Sequence, residues 1–120
     1  MVTEHSGEFC DALWSDLRRN RVDATVADVR AVADEAAYAR RRIRRWMKPK
    51  KERTPAVLWP GRTVTQFDPL GVGLIIGAWN YPIQLMLSPL IAALSGGNCA
   101  VLKPSEVSPA SAEALARLVP

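Results

Sequence analysis

The polar residues Asn80, Lys103 and Glu106 have the chemistry of a nucleotide site beside an acyl centre. Asn80 offers a neutral side-chain amide that can donate a hydrogen bond to a developing oxyanion. Lys103 offers a cation and several donors, and Glu106 offers a carboxylate that suits ribose hydroxyls. Their side chains can cooperate only if the fold brings them to one place.

The elements around these residues predict that the fold brings them together. Continuous apolar runs at 71–77 and 99–102 are typical of parallel strands covered on both faces. A helix at 82–95 is predicted between them and another at 110–118 after them, which gives a βαβα unit and an α/β fold. Ligands of such sheets bind beyond the carboxyl ends of the strands. We therefore expect residues 79–80 and 103–106 to share one edge.

The predicted helices have local start and stop signals. Asn80 is expected to cap the helix at 82–95, and Ser108 is expected to cap the helix at 110–118 with Pro109 in its first turn. Pro89 is expected to kink the first of these helices. A structural alternative stays open, in which Asn80 is only a cap and residues 103–106 only a polar turn. The glycines at 71, 73 and 77 form GxGxxxG, which is a weak match to a dinucleotide loop.

The first half of the chain is predicted to be helical over 8–48, with one helix at 8–19 and a longer one from Val22 to Lys48. Short extended segments are predicted at 57–59 and 63–67, separated by a turn at Pro60-Gly61. Trp14, Trp46 and Trp59 are interpreted as packing residues. The longer helix is expected to bury a stripe formed by Val22, Val26, Val29, Ala33, Ala36, Ile43 and Met47.

Composition indicates a globular domain, since 48% of the 120 residues are hydrophobic and 23% are charged. The positive charge behind the net charge of +4 is concentrated in one segment, because residues 40–53 contain nine Lys or Arg residues and one acid. Such a run can bind nucleic acid or an anionic membrane. We interpret it as the solvated face of the long helix and predict no nucleic-acid partner.

Cys10 and Cys99 are far apart and indicate neither a disulfide framework nor a metal site. The first residues lack the pattern of a secretory signal, and the apolar stretch at 70–94 is too interrupted to span a bilayer. We expect a cytoplasmic protein.

The segments GLIIGAWNYP at 73–82 and GNCAVLKPSE at 97–106 resemble the aldehyde dehydrogenase superfamily. Together with RWMKP at 45–49, the first segment is most similar to the class 3 branch, which acts on fatty and aromatic aldehydes. The resemblance implies that residues 1–120 form part of an NAD(P)-binding, Rossmann-like domain. A catalytic domain is expected to be absent.

The resemblance also implies roles for individual residues. Asn80 would stabilise the oxyanion, and Lys103 and Glu106 would bind the adenosine ribose. The cofactor channel would be lined by Ile76, Ala78 and Trp79. The implied cofactor is NAD, with NADP possible.

The family's nucleophilic cysteine and general-base glutamate lie in motifs that this sequence does not contain. Cys99 matches a position in a strand that we expect to be buried, so it is not interpreted as a substitute. The resemblance therefore implies an N-terminal fragment, inactive alone, of a homodimeric enzyme acting on a small-molecule aldehyde. The alternative is a non-catalytic remnant that binds a nucleotide or a partner protein.

Overall fold

The computed structural model describes residues 1–119, of which residues 6–46 are largely helical. Helix α1 (Ser6–Leu17) ends at Arg18, whose φ of 53° is left-handed. Asn20 then starts a new helix, because its side-chain oxygen accepts a hydrogen bond from the backbone of Asp23. The two predicted helices are therefore present.

The second helix is not a uniform α-helix. A short α2 (Arg21–Asp23) leads into a π-helical segment (Ala24–Arg30), which continues as α3 (Ala31–Trp46). Since π-helical hydrogen bonds skip one more residue than α-helical ones, this segment changes which side chains face the core.

The predicted apolar stripe of this helix is therefore partly wrong. Val29 is buried as expected, but Val22 and Val26, before and within the π-helical segment, are 72% and 61% exposed, and Met47 is 73% exposed. The residues that are buried along this stretch are Ala24, Asp28, Val29, Val32 and Ala39.

Strands β1 (Lys50–Glu52) and β2 (Thr63–Thr65) pair as an antiparallel hairpin. Strand β1 was not predicted because its sequence is charged rather than apolar. The extended segment predicted at 57–59 is wrong, since Ala56–Leu58 form a 3-10 turn. The turn at Pro60-Gly61 is confirmed, with the Gly61 N–H donating to the Leu58 carbonyl at 2.7 Å.

The second half of the chain is the predicted βαβα unit. It consists of β3 (Val72–Ile76), α4 (Gln84–Ser95), β4 (Cys99–Lys103) and α5 (Pro109–Leu118). β3 and β4 are parallel. The structure thus confirms an α/β fold with helices before a βαβα portion.

The expectation that β3 is covered on both faces is wrong for this chain. Val72, Leu74 and Ile76 point away from the helices and are 72%, 64% and 67% exposed. Ile75 faces the other way and packs against the core. Cys99 is likewise exposed rather than buried, because residues 1–119 supply helices to only one face of the two strands.

The core is formed by residues of α1, the π-helical segment, α3, α4 and α5. Phe9, Leu13, Met86 and Leu115 are almost fully buried there, each contributing about 1.5–3 kcal/mol through removal from water. Trp14, Trp46 and Trp59, which are interpreted as packing residues rather than ligands, are 52%, 43% and 80% exposed. Trp46 lies beside Tyr38, with 6.0 Å between the ring centroids.

Both helices of the βαβα unit start differently from the prediction. Asn80 does not cap α4, whose N-cap position is Ile83. The Ser108 side chain does not cap α5. Carboxylates from the N-terminal helices accept hydrogen bonds at these helix starts instead. Asp28 accepts from the Gln84 N–H, and Asp16 accepts from the backbone N–H groups of the first turn of α5.

None of the helices within residues 1–119 combines the length and the apolar character needed to cross a membrane.

Candidate functional site

The candidate site lies at the carboxyl edge of β3 and β4. Ile76 and Lys103 are register partners at the ends of the two strands, and the Gly77 N–H donates to the Lys103 carbonyl at 3.1 Å. The chain therefore leaves β3 beside the point where it leaves β4. Parallel pairing brings residues 78–80 and 104–106 to one edge, as the topology predicts.

Lys103 and Glu106 form an ion pair at this edge, with 2.7 Å between Nζ and Oε2. The hydrogen bond from Lys103 holds the pKa of the Glu106 carboxyl below its ordinary value. Their side chains are 53% and 79% exposed, so the pair contributes little to stability. Both charged ends remain accessible to a ligand.

An apolar surface adjoins the pair. Ile76 and Trp79 are 67% and 52% exposed, and Ala78 between them is also exposed. An adenosine needs an apolar surface for its base and polar partners for its ribose, and this edge offers both. The residues present therefore fit the adenosine half of a nicotinamide dinucleotide.

Asn80 lies on the same edge in an irregular segment between β3 and α4. The residue is exposed, and its side chain is not used as a helix cap. Its backbone carbonyl accepts a hydrogen bond from Arg19 Nη2 at 2.5 Å. The backbone is thus held while the side-chain amide can still serve as a donor.

Arg19 and Asp28 were not singled out from the sequence. They form an ion pair of 2.5 Å between Nη1 and Oδ2, and Asp28 is fully buried. Their partners, Asn80 and Gln84, lie more than fifty positions further along the chain. No local pattern could have revealed a contact over that separation.

Neither cysteine is among the residues that form this edge. Cys10 is buried in α1, with its thiol 3.5 Å from the Thr25 hydroxyl. Cys99 begins β4, and Lys103 ends it, which separates them by about 13 Å along the strand. Within the described part of the chain, no group of His, Cys, Asp or Glu residues could hold a metal ion.

Comparison with known proteins gives a consistent result. The model of the aldehyde dehydrogenase family matches residues 1–120. The chain is 40% identical over 119 residues to an aldehyde dehydrogenase of Craterostigma plantagineum, with 99% of the chain covered. It is 38% identical over 115 residues to aldehyde dehydrogenase family 3 member H1 of Arabidopsis thaliana, with 96% covered.

A solved structure of Staphylococcus aureus AldH in its substrate-bound state superposes on 98% of the chain with a TM-score of 0.96 and 35% identity. The chain spans about a quarter of the length of these proteins: 25% of the Craterostigma protein, 24% of the Arabidopsis protein and 26% of the AldH chain. The family match over residues 1–120, the sequence identities and the shared fold agree, and this chain belongs to the aldehyde dehydrogenase family.

Proposed function

We propose that this chain supplies the oxyanion donor and the adenosine-binding edge for NAD(P)-dependent oxidation of an aldehyde to a carboxylic acid. The observation that carries the proposal is the in-register pairing of Ile76 with Lys103. It puts an amide donor and a charged pair at one sheet edge. Family membership supports the reaction class.

The adenosine edge uses Lys103 and Glu106. The Glu106 carboxylate accepts hydrogen bonds from ribose hydroxyls, and Lys103 supplies a cation beside it. A carboxylate at this position disfavours a 2′-phosphate by charge repulsion. We therefore propose NAD as the preferred cofactor, with NADP weaker. The bound cofactor supplies the hydride acceptor.

The oxyanion donor is the Asn80 side-chain amide. Attack of a thiolate on an aldehyde places negative charge on the carbonyl oxygen, and a preorganised neutral N–H donor stabilises it. Asn80 is exposed and its backbone is anchored through Arg19. Within the proposed reaction, this chain stabilises charge and binds nucleotide.

We also propose that the 120-residue polypeptide alone does not turn over aldehydes. Neither of its two thiols is presented at the site edge. Cys10 is buried in the core, and Cys99 lies at the opposite end of β4 from Lys103. A nucleophile must approach within roughly 3–3.5 Å of the reacting carbon. Incubation of the pure chain with NAD and a panel of aliphatic and aromatic aldehydes should produce no NADH, and turnover by sequence-verified chain would contradict this.

The nucleotide edge can be tested by energy transfer from Trp79 to NADH. The wild-type chain should show saturable quenching of tryptophan emission, and Trp79→Phe should remove most of the signal. Lys103→Ala and Glu106→Ala should weaken binding. Lys51→Ala is the matched control, since Lys51 is an exposed lysine in β1, away from the site.

Two results would contradict the adenosine assignment. One is the absence of saturable NADH binding by folded wild-type chain. The other is an equal loss of affinity in Lys51→Ala and Lys103→Ala, which would indicate general attraction to positive charge.

One observation favours a second candidate function. The exposed side of β3, formed by Val72, Leu74 and Ile76, is an apolar surface of the kind that binds a partner protein. Under this alternative the chain is a non-catalytic module that pairs with a longer homologue or binds nucleotide without turnover. Light scattering, alone and with a longer homologue, tests it. The expectation of a homodimeric enzyme stays a prediction.

A further inference from the structure

The Arg19 guanidinium joins separate segments of the chain. Its Nη1 is 2.5 Å from Asp28 Oδ2, and its Nη2 is 2.5 Å from the Asn80 carbonyl oxygen. Its central carbon lies 4.3 Å from the ring centroid of Tyr81. Only 16% of the Arg19 side chain is exposed. The planar guanidinium can make these contacts at once because its donors diverge in a rigid fork.

Asp28 completes the arrangement from the other side. While its Oδ2 is bound by Arg19, its Oδ1 accepts a hydrogen bond from the Gln84 N–H at 3.1 Å. Asn80, in the middle of the irregular segment between β3 and α4, and Gln84, the first residue of α4, are thereby both held. Asp28 is fully buried, so the accepting end of both hydrogen bonds is removed from water.

The irregular segment begins at Gly77, whose N–H donates to the Lys103 carbonyl, and its later residues lack regular secondary structure. Residues 79–83 form bends and turns, and the Asn80 side chain does not cap α4. An oxyanion donor must lie about 2.7–3.1 Å from the charge that it stabilises, so small backbone displacements matter. A contact to the Asn80 carbonyl fixes the backbone from which the amide projects.

We propose that Arg19 is a positioning residue for Asn80, acting through the Asn80 carbonyl, with Asp28 as its buried counter-ion. Its catalytic consequence rests on the proposed function, whereas the tether itself is a property of the chain. The neighbouring Arg18 has no such role, because its guanidinium lies over Trp14 at 5.8 Å.

The tether can be measured by ¹⁵N relaxation of the Tyr81 amide, which belongs to the same peptide unit as the Asn80 carbonyl. The main variant is Arg19→Met combined with Asp28→Asn. It removes both charges together and keeps an amide oxygen at position 28 to accept from Gln84. The order parameter of the Tyr81 amide should fall from about 0.85 to below about 0.6. The Met86 amide inside α4 should stay rigid.

Arg18→Met is the matched control and should leave the Tyr81 order parameter unchanged. Arg19→Lys keeps the charge but lacks the fork, so it should give an intermediate value. An unchanged Tyr81 order parameter in the folded double variant would overturn the proposal. If that variant does not fold, an unchanged value in folded Arg19→Lys would overturn it equally.

The relaxation experiment needs no nucleotide, so it separates this proposal from the proposed function. Arg19 touches neither Lys103 nor Glu106, so the two proposals rest on different contacts. Failure of wild-type chain to bind NADH would contradict the nucleotide assignment alone. A rigid Tyr81 amide without Arg19 would contradict the positioning role alone.

Discussion

The carboxylate of Asp16, near the end of α1, accepts a hydrogen bond from the Ser111 N–H in the first turn of α5, with 2.8 Å between Oδ2 and N. Its other oxygen accepts from the Ala110 N–H at 3.0 Å. The expected cap, Ser108, is buried, and its hydroxyl donates to the Ser105 carbonyl instead. The start of α5 is thus satisfied by a residue 95 positions before Ser111.

Replacement of Asp16 should therefore destabilise the fold. Asp16→Ala leaves two backbone donors without their partner and removes a negative charge from a helix N-terminus, so the free energy of unfolding should fall by about 1–2 kcal/mol. Urea denaturation followed by circular dichroism measures this. Asp11→Ala in the same helix is the control, because Asp11 only forms an exposed pair with Arg21 at 3.7 Å. Equal losses in the two variants would refute the capping role.

Gly77 should not tolerate a side chain. A Cβ atom at this position would lie 2.2 Å from Met86 Sδ and 2.8 Å from Met86 Cγ. Gly77→Ala must displace Met86 within the core and should cost about 1–3 kcal/mol. In Gly73→Ala the nearest atom is 4.0 Å away, so this variant is the control. Thermal denaturation of both tests the prediction, which fails if Gly77→Ala is no less stable than Gly73→Ala.

Asp28 should make stability depend on pH in a definite direction. Burial raises the pKa of its carboxyl above the ordinary value, and the hydrogen bonds from Gln84 and Arg19 oppose part of that rise. Between the ordinary and the raised pKa, the folded state holds a proton that the unfolded state has released. The free energy of unfolding contributed by Asp28 therefore falls as pH rises through this window.

Asp28→Asn removes this titration. The stability of wild-type chain relative to Asp28→Asn should be greatest below the ordinary aspartate pKa and should decline as pH rises through the raised one. Urea denaturation of both proteins over a pH series measures the difference, and the other acids cancel in it. A difference that grows with pH would show that Arg19 outweighs burial and lowers the pKa.

Glu106 should control the choice between NADH and NADPH. Because Lys103 lowers the pKa of Glu106, its carboxylate stays ionised below the pH at which an ordinary glutamate is half protonated. Glu106→Gln removes the charge that repels a 2′-phosphate, so the affinity for NADPH should rise relative to that for NADH.

Fluorescence titration with both cofactors measures this ratio. Glu113→Gln is the control, because Glu113 is an exposed acid in α5. The preference of wild-type chain for NADH should persist at pH values just below the ordinary glutamate pKa. An unchanged ratio in Glu106→Gln would contradict the assignment.

Part of the candidate site could be predicted from the sequence. The apolar runs and the glycines and prolines around them are local signals, and they predicted β3, α4, β4 and α5 in the right order. Parallel strands joined by a helix then place Trp79 and Lys103 at one edge by topology alone. Exposure was predicted less well. Val72 and Cys99 are exposed because coverage of a strand depends on layers outside its own sequence.

By itself, the sequence determined the type and order of the βαβα elements, because periodicity and turn chemistry act over a few residues. The tertiary structure alone decided which side chains hydrogen-bond to the starts of the helices and to the segment between β3 and α4. Asp16 caps α5, Asp28 binds the start of α4, and Arg19 holds Asn80. These contacts join residues 56 to 95 positions apart. Only packing of the N-terminal helices against α4 and α5 brings such groups within hydrogen-bonding distance.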